Sequence, residues 1–167
     1  MTLTGNFTGT IASVEDTANC LTDATLAYDA AYGLRFTFLQ VSDIIGGRTL
    51  TPGCYHQNAA IDAAANTNIT LDAGGDPNAV FVIAATGALG LGADSYIVLL
   101  NGATYDNIFW VIEGAVTVGA GGILQGITLT IGAITLGADS KLCGRGLAHV
   151  AALSMNEGSI IVGNCDL

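Results

Sequence analysis

Gly132–Ser140 reads GAITLGADS, and three other stretches repeat its pattern. They are Gly87–Ser95 (GALGLGADS), Gly114–Gly122 (GAVTVGAGG) and Ala151–Ser159 (AALSMNEGS). The starting positions step by 27, 18 and 19 residues. A recurrence this short falls below the length of a propeller blade and suits one coil of a β-solenoid. In every copy the third and fifth residues are apolar: Leu89/Leu91, Val116/Val118, Ile134/Leu136 and Leu153/Met155. Side chains alternate between the faces of a strand, so each pair points one way, into the interior. The residue between them, Gly90, Thr117, Thr135 or Ser154, points the other way. Each coil climbs by one strand spacing, about 4.8 Å. Glycine at the corners lets the chain bend without crowding. The extra residues of the 27-residue step are expected in the loop Asn101–Asn107.

The rest of the chain fits around this stack. Its 167 residues are enough for one domain, read as residues 1–167, with solenoid coils over about 48–167. One stretch, about 16–34, has a helical period: Ala18, Leu21, Thr25, Tyr28 and Tyr32 fall on one face. Asp16 or Thr17 can cap its start and Gly33 can end it. A helix of that length is a rod of roughly 27 Å, long enough to lie along a small domain. From residue 66 onward, short runs of Val, Ile, Thr and Leu are divided by glycine, as in strands.

Composition excludes several functions. Four basic residues against 14 acidic ones give a net charge of −10. Nucleic acid and anionic membranes both need clustered Lys and Arg, so neither is an expected partner. Apolar runs are broken well before the ~20 residues that a membrane-spanning helix requires. The start, Met1–Gly9, lacks the basic and apolar regions of a signal peptide. Four cysteines, Cys20, Cys54, Cys143 and Cys165, have no CxxC spacing, which disfavours zinc. Their even number suits two disulfides in an extracellular setting, with buried free thiols as the alternative.

Several segments, in order, resemble one known family. They are Thr51-Pro52-Gly53-Cys54-Tyr55, Leu71–Ile83, Leu99–Ala103, Asn107–Val111, Ala133–Ala138 and Gly144–Ala148. Together they are similar to the ice-binding-protein-like β-solenoids. The resemblance implies a mostly β fold: a right-handed three-sided β-solenoid (β-helix) with one long α-helix packed alongside. Two departures stand out. Members of that family carry a longer segment ahead of the part matching Phe7–Ile11, so the usual N-terminal portion is expected to be lacking. Either the chain is truncated there, or another subunit closes the gap. The family also tends to have Val where Cys54 stands. Cys20 on the helix facing Cys54 on a strand is one expected bridge. Cys143 and Cys165, about one coil apart, are the other.

Catalytic signatures are weak, and the chain is expected to be no enzyme and to need no cofactor or metal. No GxSxG is present, and His56 and His149 are far apart in sequence. Asp94 and Asp139 share a repeat position, but Gly121 holds it in the coil between them. Two coils hold the carboxylates about 9.6 Å apart, whereas calcium ligands sit roughly 2.3–2.6 Å from the ion. Two functional readings remain. The leading one is an extracellular, secreted or cell-surface, self-associating structural or adhesive subunit: a homo-oligomer or head-to-tail filament. Unpaired strand edges at a solenoid end template pairing with another chain. A mean hydropathy of +0.57 fits a surface partly buried in an assembly. The alternative is an ice-binding (antifreeze) protein that adsorbs to the ice surface through a flat face bearing hydroxyls. Its candidate residues are Thr117, Thr135 and Ser154, joined by Thr128 and Thr130 on a neighbouring face. Sequons at Asn6 and Asn68 are candidate glycosylation sites.

Overall fold

The computed structural model describes residues 22–23, 25–26, 28–30, 32–33, 39–40, 46–163 and 165. Within them the chain winds as a three-sided prism of parallel sheets. Side A orders β1 (Leu39–Gln40), β3 (Gly53–Gln57), β6 (Phe81–Ala85), β9 (Ile108–Ile112), β11 (Ile123–Thr130), β13 (Lys141–Ala148) and β15 (Ile160–Val162). Side B orders β4 (Ile61–Ala63), β7 (Leu89–Leu91), β10 (Val116–Val118), β12 (Ile134–Leu136) and β14 (Leu153–Met155). Side C pairs β2 (Thr49–Leu50), β5 (Ile69–Asp72) and β8 (Ile97–Leu100). The four nonapeptides lie in direct register: Leu89↔Val116↔Ile134↔Leu153. A fifth copy, starting at Ala59, places Ile61 and Ala63 on the same ladder.

Coil length varies at one corner. Three or four residues link each A strand to the next B strand, and four or five link B to C. The C-to-A link is eight residues after β5 and seven after β8. In the next two coils it vanishes: β11 and β13 start on side C, where Ile123 bridges Tyr96, and run straight on to side A. Gly126 (φ 125°) and Gly144 (φ 128°) make that bend. The two long links stack on each other. Asn101 donates to Asp72 at 2.8 Å, Gly75 N–H to the Asn101 carbonyl at 2.8 Å, and Asn107 to the Pro77 carbonyl at 3.2 Å. The loop Asn101–Asn107 is therefore where it was expected, with a twin below it.

The core fills the prism. Phe81, Ile83, Ile108, Trp110 and Ile112 line side A, the side-B pairs face them, and Ile69, Leu71, Ile97 and Leu124 close the third side. All of these side-A and side-C residues are fully buried. Each such side chain contributes about 1.5–3 kcal/mol. Trp110 Nε1 donates to the Gln125 carbonyl and Gln125 Nε2 to the Ile97 carbonyl, both at 2.9 Å, so the buried polar groups bridge sides A and C.

The long helix expected over 16–34 is not supported as such: among the described residues, helix lies between 22 and 33. Asp16, Thr17 and Ala18 lie outside the described residues. The outer strip it serves is itself narrow: Tyr28 is buried against Ala84, Val111 and Leu129 on three adjacent strands, with Tyr32 beside them. Three strands span only about 10 Å, which a few helical turns cover. Tyr28 and Tyr32 stack at 5.4 Å, and the Tyr32 hydroxyl donates to Glu113.

Cysteine pairing divides. Cys143 and Cys165 form a disulfide with Cα atoms 5.6 Å apart, as expected. Cys54 is a free, exposed thiol, so the expected Cys20–Cys54 bridge is not formed. Cys54 sits on β3, in register with Val82 and so one strand beyond the strip that Tyr28 covers; Cys20 lies outside the described residues.

Candidate functional site

Side B carries the most regular surface. Its outward residues, in strand order, are Asp62, Gly90, Thr117, Thr135 and Ser154. Thr117, Thr135 and Ser154 thus form an unbroken hydroxyl column on three neighbouring strands, and all three reach the surface. Alanines flank the column. The N–H groups of Ile61, Leu89, Val116 and Ile134 donate to the carbonyls of Ala88, Ala115, Ala133 and Ala152, which stacks those alanines. On the other flank Ala93, Ala120 and Ala138 take the equivalent places, fixed by donation from Asn66, Asp94 and Gly121 N–H. The result is a plane of Ala, Gly, Thr and Ser in parallel register, bounded by Asp62 on the first strand and by exposed Glu157, which takes the alanine place beside the last.

Asp62 ends the column. Its Oδ1 lies 2.7 Å from where a Cβ would stand on Gly90, so the carboxylate leans over the gap that Gly90 leaves. The corner beyond the plane is a second column, Asn66, Asp94, Gly121, Asp139 and Gly158, all at positive φ. Asn, Asp and Gly are the residues that tolerate this conformation. Asp94 and Asp139 pack over Gly121 and Gly158 of the following coils. Their repeat position is thus a backbone requirement. Among the described residues no group of three or more His, Cys, Asp or Glu could hold a metal ion.

Thr128 and Thr130 do not join the plane, which corrects their candidacy. Both are buried, at 0% and 1% exposure. They stack in the inward columns beside Trp110 and Ile112, while Ile127 and Leu129 face outward under the helix. The helix makes the outside of side A apolar, and that inverts the usual rule of apolar in and polar out. Thr130 Oγ1 donates to the Gly114 carbonyl and accepts from Gly132 N–H, tying an A/B corner. Asn68 Oδ1 accepts from Tyr96 N–H at 3.0 Å, so its amide is held in the ladder; Asn6 lies outside the described residues. His56 is buried on β3 and His149 follows β13, four strand spacings or about 19 Å away on side A. They share no site.

The columns of alanine were missed in the sequence, although an Ala precedes every side-B strand. The fifth repeat was missed because Ala59 and Ala64 stand where the next three copies have Gly.

The family model described as Ice-binding-like matches residues 2–161. The chain belongs to the ice-binding-like family. An ice-binding protein of Flavobacterium frigoris is 34% identical over 168 residues, covering 92% of this chain and 59% of that protein. One from Nostoc is 37% identical over 117 residues, 70% of this chain and 42% of the relative. This chain therefore spans about half the length of these curated relatives. A solved ice-binding protein from an Antarctic biological consortium superposes with TM-score 0.78 at 30% identity, over 87% of this chain and 65% of that one. The corresponding domain of Shewanella frigidimarina ice-binding protein 1 gives 0.75 at 26% identity, over 90% and 63%. Family membership and these superpositions give the chain the ice-binding-like fold. No helix among the described residues is long and apolar enough to cross a membrane.

Proposed function

We propose that this chain is an extracellular ice-binding protein that adsorbs to ice through side B. The observation that carries the reading is the column Thr117, Thr135 and Ser154 in register on adjacent strands, flanked by stacked alanines. Adsorption to a crystal needs a rigid plane on which ordered water can match the lattice. Each hydroxyl holds one water, and the neighbouring methyls confine it without competing for its hydrogen bonds. The ladder repeats these groups at a regular spacing of about 4.8 Å. Between Gly90 and Ser154 the outward strand residues carry no charge, so the plane binds water weakly enough for that water to join the solid. The relatives' names support the same reading. The Cys143–Cys165 disulfide suits an oxidising, extracellular compartment.

Thermal hysteresis and ice-crystal shaping at micromolar protein test it. Thr135→Tyr puts a large ring in the middle of the plane and is expected to abolish hysteresis. Thr49→Tyr, on exposed side C, is the control and should leave it intact. Full activity in the Thr135 variant would remove side B from consideration.

Self-association is the second reading, favoured by apolar side chains exposed on the last described coil. Met155 and Ile161, which continue the inward ladders, are 41% and 37% exposed, and Ile160 is 42% exposed. Among the described residues, strands β14 and β15 each have a single neighbour. A monomer by size exclusion at high concentration would overturn this reading.

A further inference from the structure

The Cys143–Cys165 disulfide encloses one complete coil. From Cys143 the chain runs along side A, crosses side B as β14 and returns as β15 alongside the side-C start of β13, where Val162 pairs with Cys143. The bridge then closes that coil into a covalent ring of sequence separation 22. Among the described residues β14 pairs only with β12 and β15 only with β13. The coil's inward residues are open: Leu153 is half-buried and Met155 and Ile161 are exposed, whereas Ile134, Leu136 and Leu142, one coil below, are fully buried. Its attachment rests on the ladder, such as Asn156 N–H to the Leu136 carbonyl and Ile160 N–H to the Ser140 carbonyl, both at 3.0 Å. Hydrogen bonds of a coil with few buried apolar contacts are the first to open.

We infer that the Cys143–Cys165 bridge is a latch that holds this coil shut and thereby keeps Ser154 in register beside Thr135. The bridge lies on side C, away from the plane, so it acts on the hydroxyl column by positioning its last row. Its consequence for ice rests on the proposed function; the latch itself does not. Reduction by a dithiol breaks the S–S bond. Two electrons and two protons pass to the protein sulfurs, giving thiols at 143 and 165, and the reagent leaves as its cyclic disulfide. Cys165 is half-buried, within reach of a small dithiol, whereas Cys143 is fully buried.

Hydrogen exchange on the full chain, oxidised and after dithiothreitol, reads the latch directly. Exchange over residues 151–163 is expected to speed up on the order of 100-fold, the factor that ring-closure entropy predicts for a loop of this size. Exchange in β7, β10 and β12 stays as it was. Cys165→Ser without reductant reproduces the reduced pattern, and Cys54→Ser leaves both states unchanged. Equal protection of 151–163 in both redox states would overturn the inference, whatever the protein does to ice. Hysteresis is the second arm: it should drop partially on reduction and return on reoxidation. Faster exchange with undiminished hysteresis would overturn the positioning of Ser154. Absent hysteresis even in the oxidised protein would overturn the proposed function while the exchange arm still decides the latch.

Discussion

Gly144 sits at φ 128°, and a Cβ there would overlap the carbonyl oxygen of Gly126 in the coil beneath. Both effects oppose any side chain, so Gly144→Ala is expected to destabilise by at least about 2 kcal/mol. Gly163→Ala meets nothing within 4 Å and should stay within about 0.5 kcal/mol of the parent. Chemical denaturation of the two variants checks the contrast. Asp72 offers a residue-scale test by pH. Its carboxylate accepts from Gly74 N–H at 2.9 Å and from Asn101 at 2.8 Å, and these bonds, the backbone one first, hold its pKa below the ordinary 3.8. A carboxylate whose folded pKa is depressed stabilises the fold above its unfolded pKa. That contribution fades as pH falls through the lower folded value, and alkaline pH does not touch it. Asp72→Asn should therefore flatten the acid limb of stability below about pH 4. An unchanged limb, followed by urea unfolding across acidic pH, would show that these bonds do not distinguish the folded carboxylate.

Elements differ in how they could be read. Side B was legible because its period-two apolar pairs recur in phase, and Leu89, Val116, Ile134 and Leu153 do share one ladder. Strand β11 was not, since its eight residues belong to two sides of the prism and Gly126 shifts their phase. A linear alternation assigns Thr128 and Thr130 to the surface; the helix over Val111 and Leu129 turns them inward. Nothing local to β11 signals that cover, which comes from residues about a hundred positions earlier. The helix itself depends on its contacts. Tyr28 is 3% exposed and joins it to three strands. Tyr28→Ala should cost roughly 3 kcal/mol, with exchange rising over 22–33 while side B remains protected. Loss of protection across the whole prism would mean the helix is part of the stack's cooperative unit.

At the scale of the molecule, the coils step down from 28 and 27 residues to 18 and 19, measured along side B from Ile61 to Leu153. Most of that change is taken up at the C/A corner, where a link of seven or eight residues disappears. In a triangle this vertex faces the opposite side, and the opposite side is B. Nature has thus altered the perimeter of the prism without moving the plane that carries Thr117 and Thr135. An engineer can use the same freedom. A peptide tag or a reporter domain spliced into the loop Asn101–Asn107 would hang from the rear edge of the particle, and thermal hysteresis should match that of the parent. The ice-binding reading then gains a handle: a dye carried on that edge would mark adsorbed molecules on a growing crystal while the working plane stays bare.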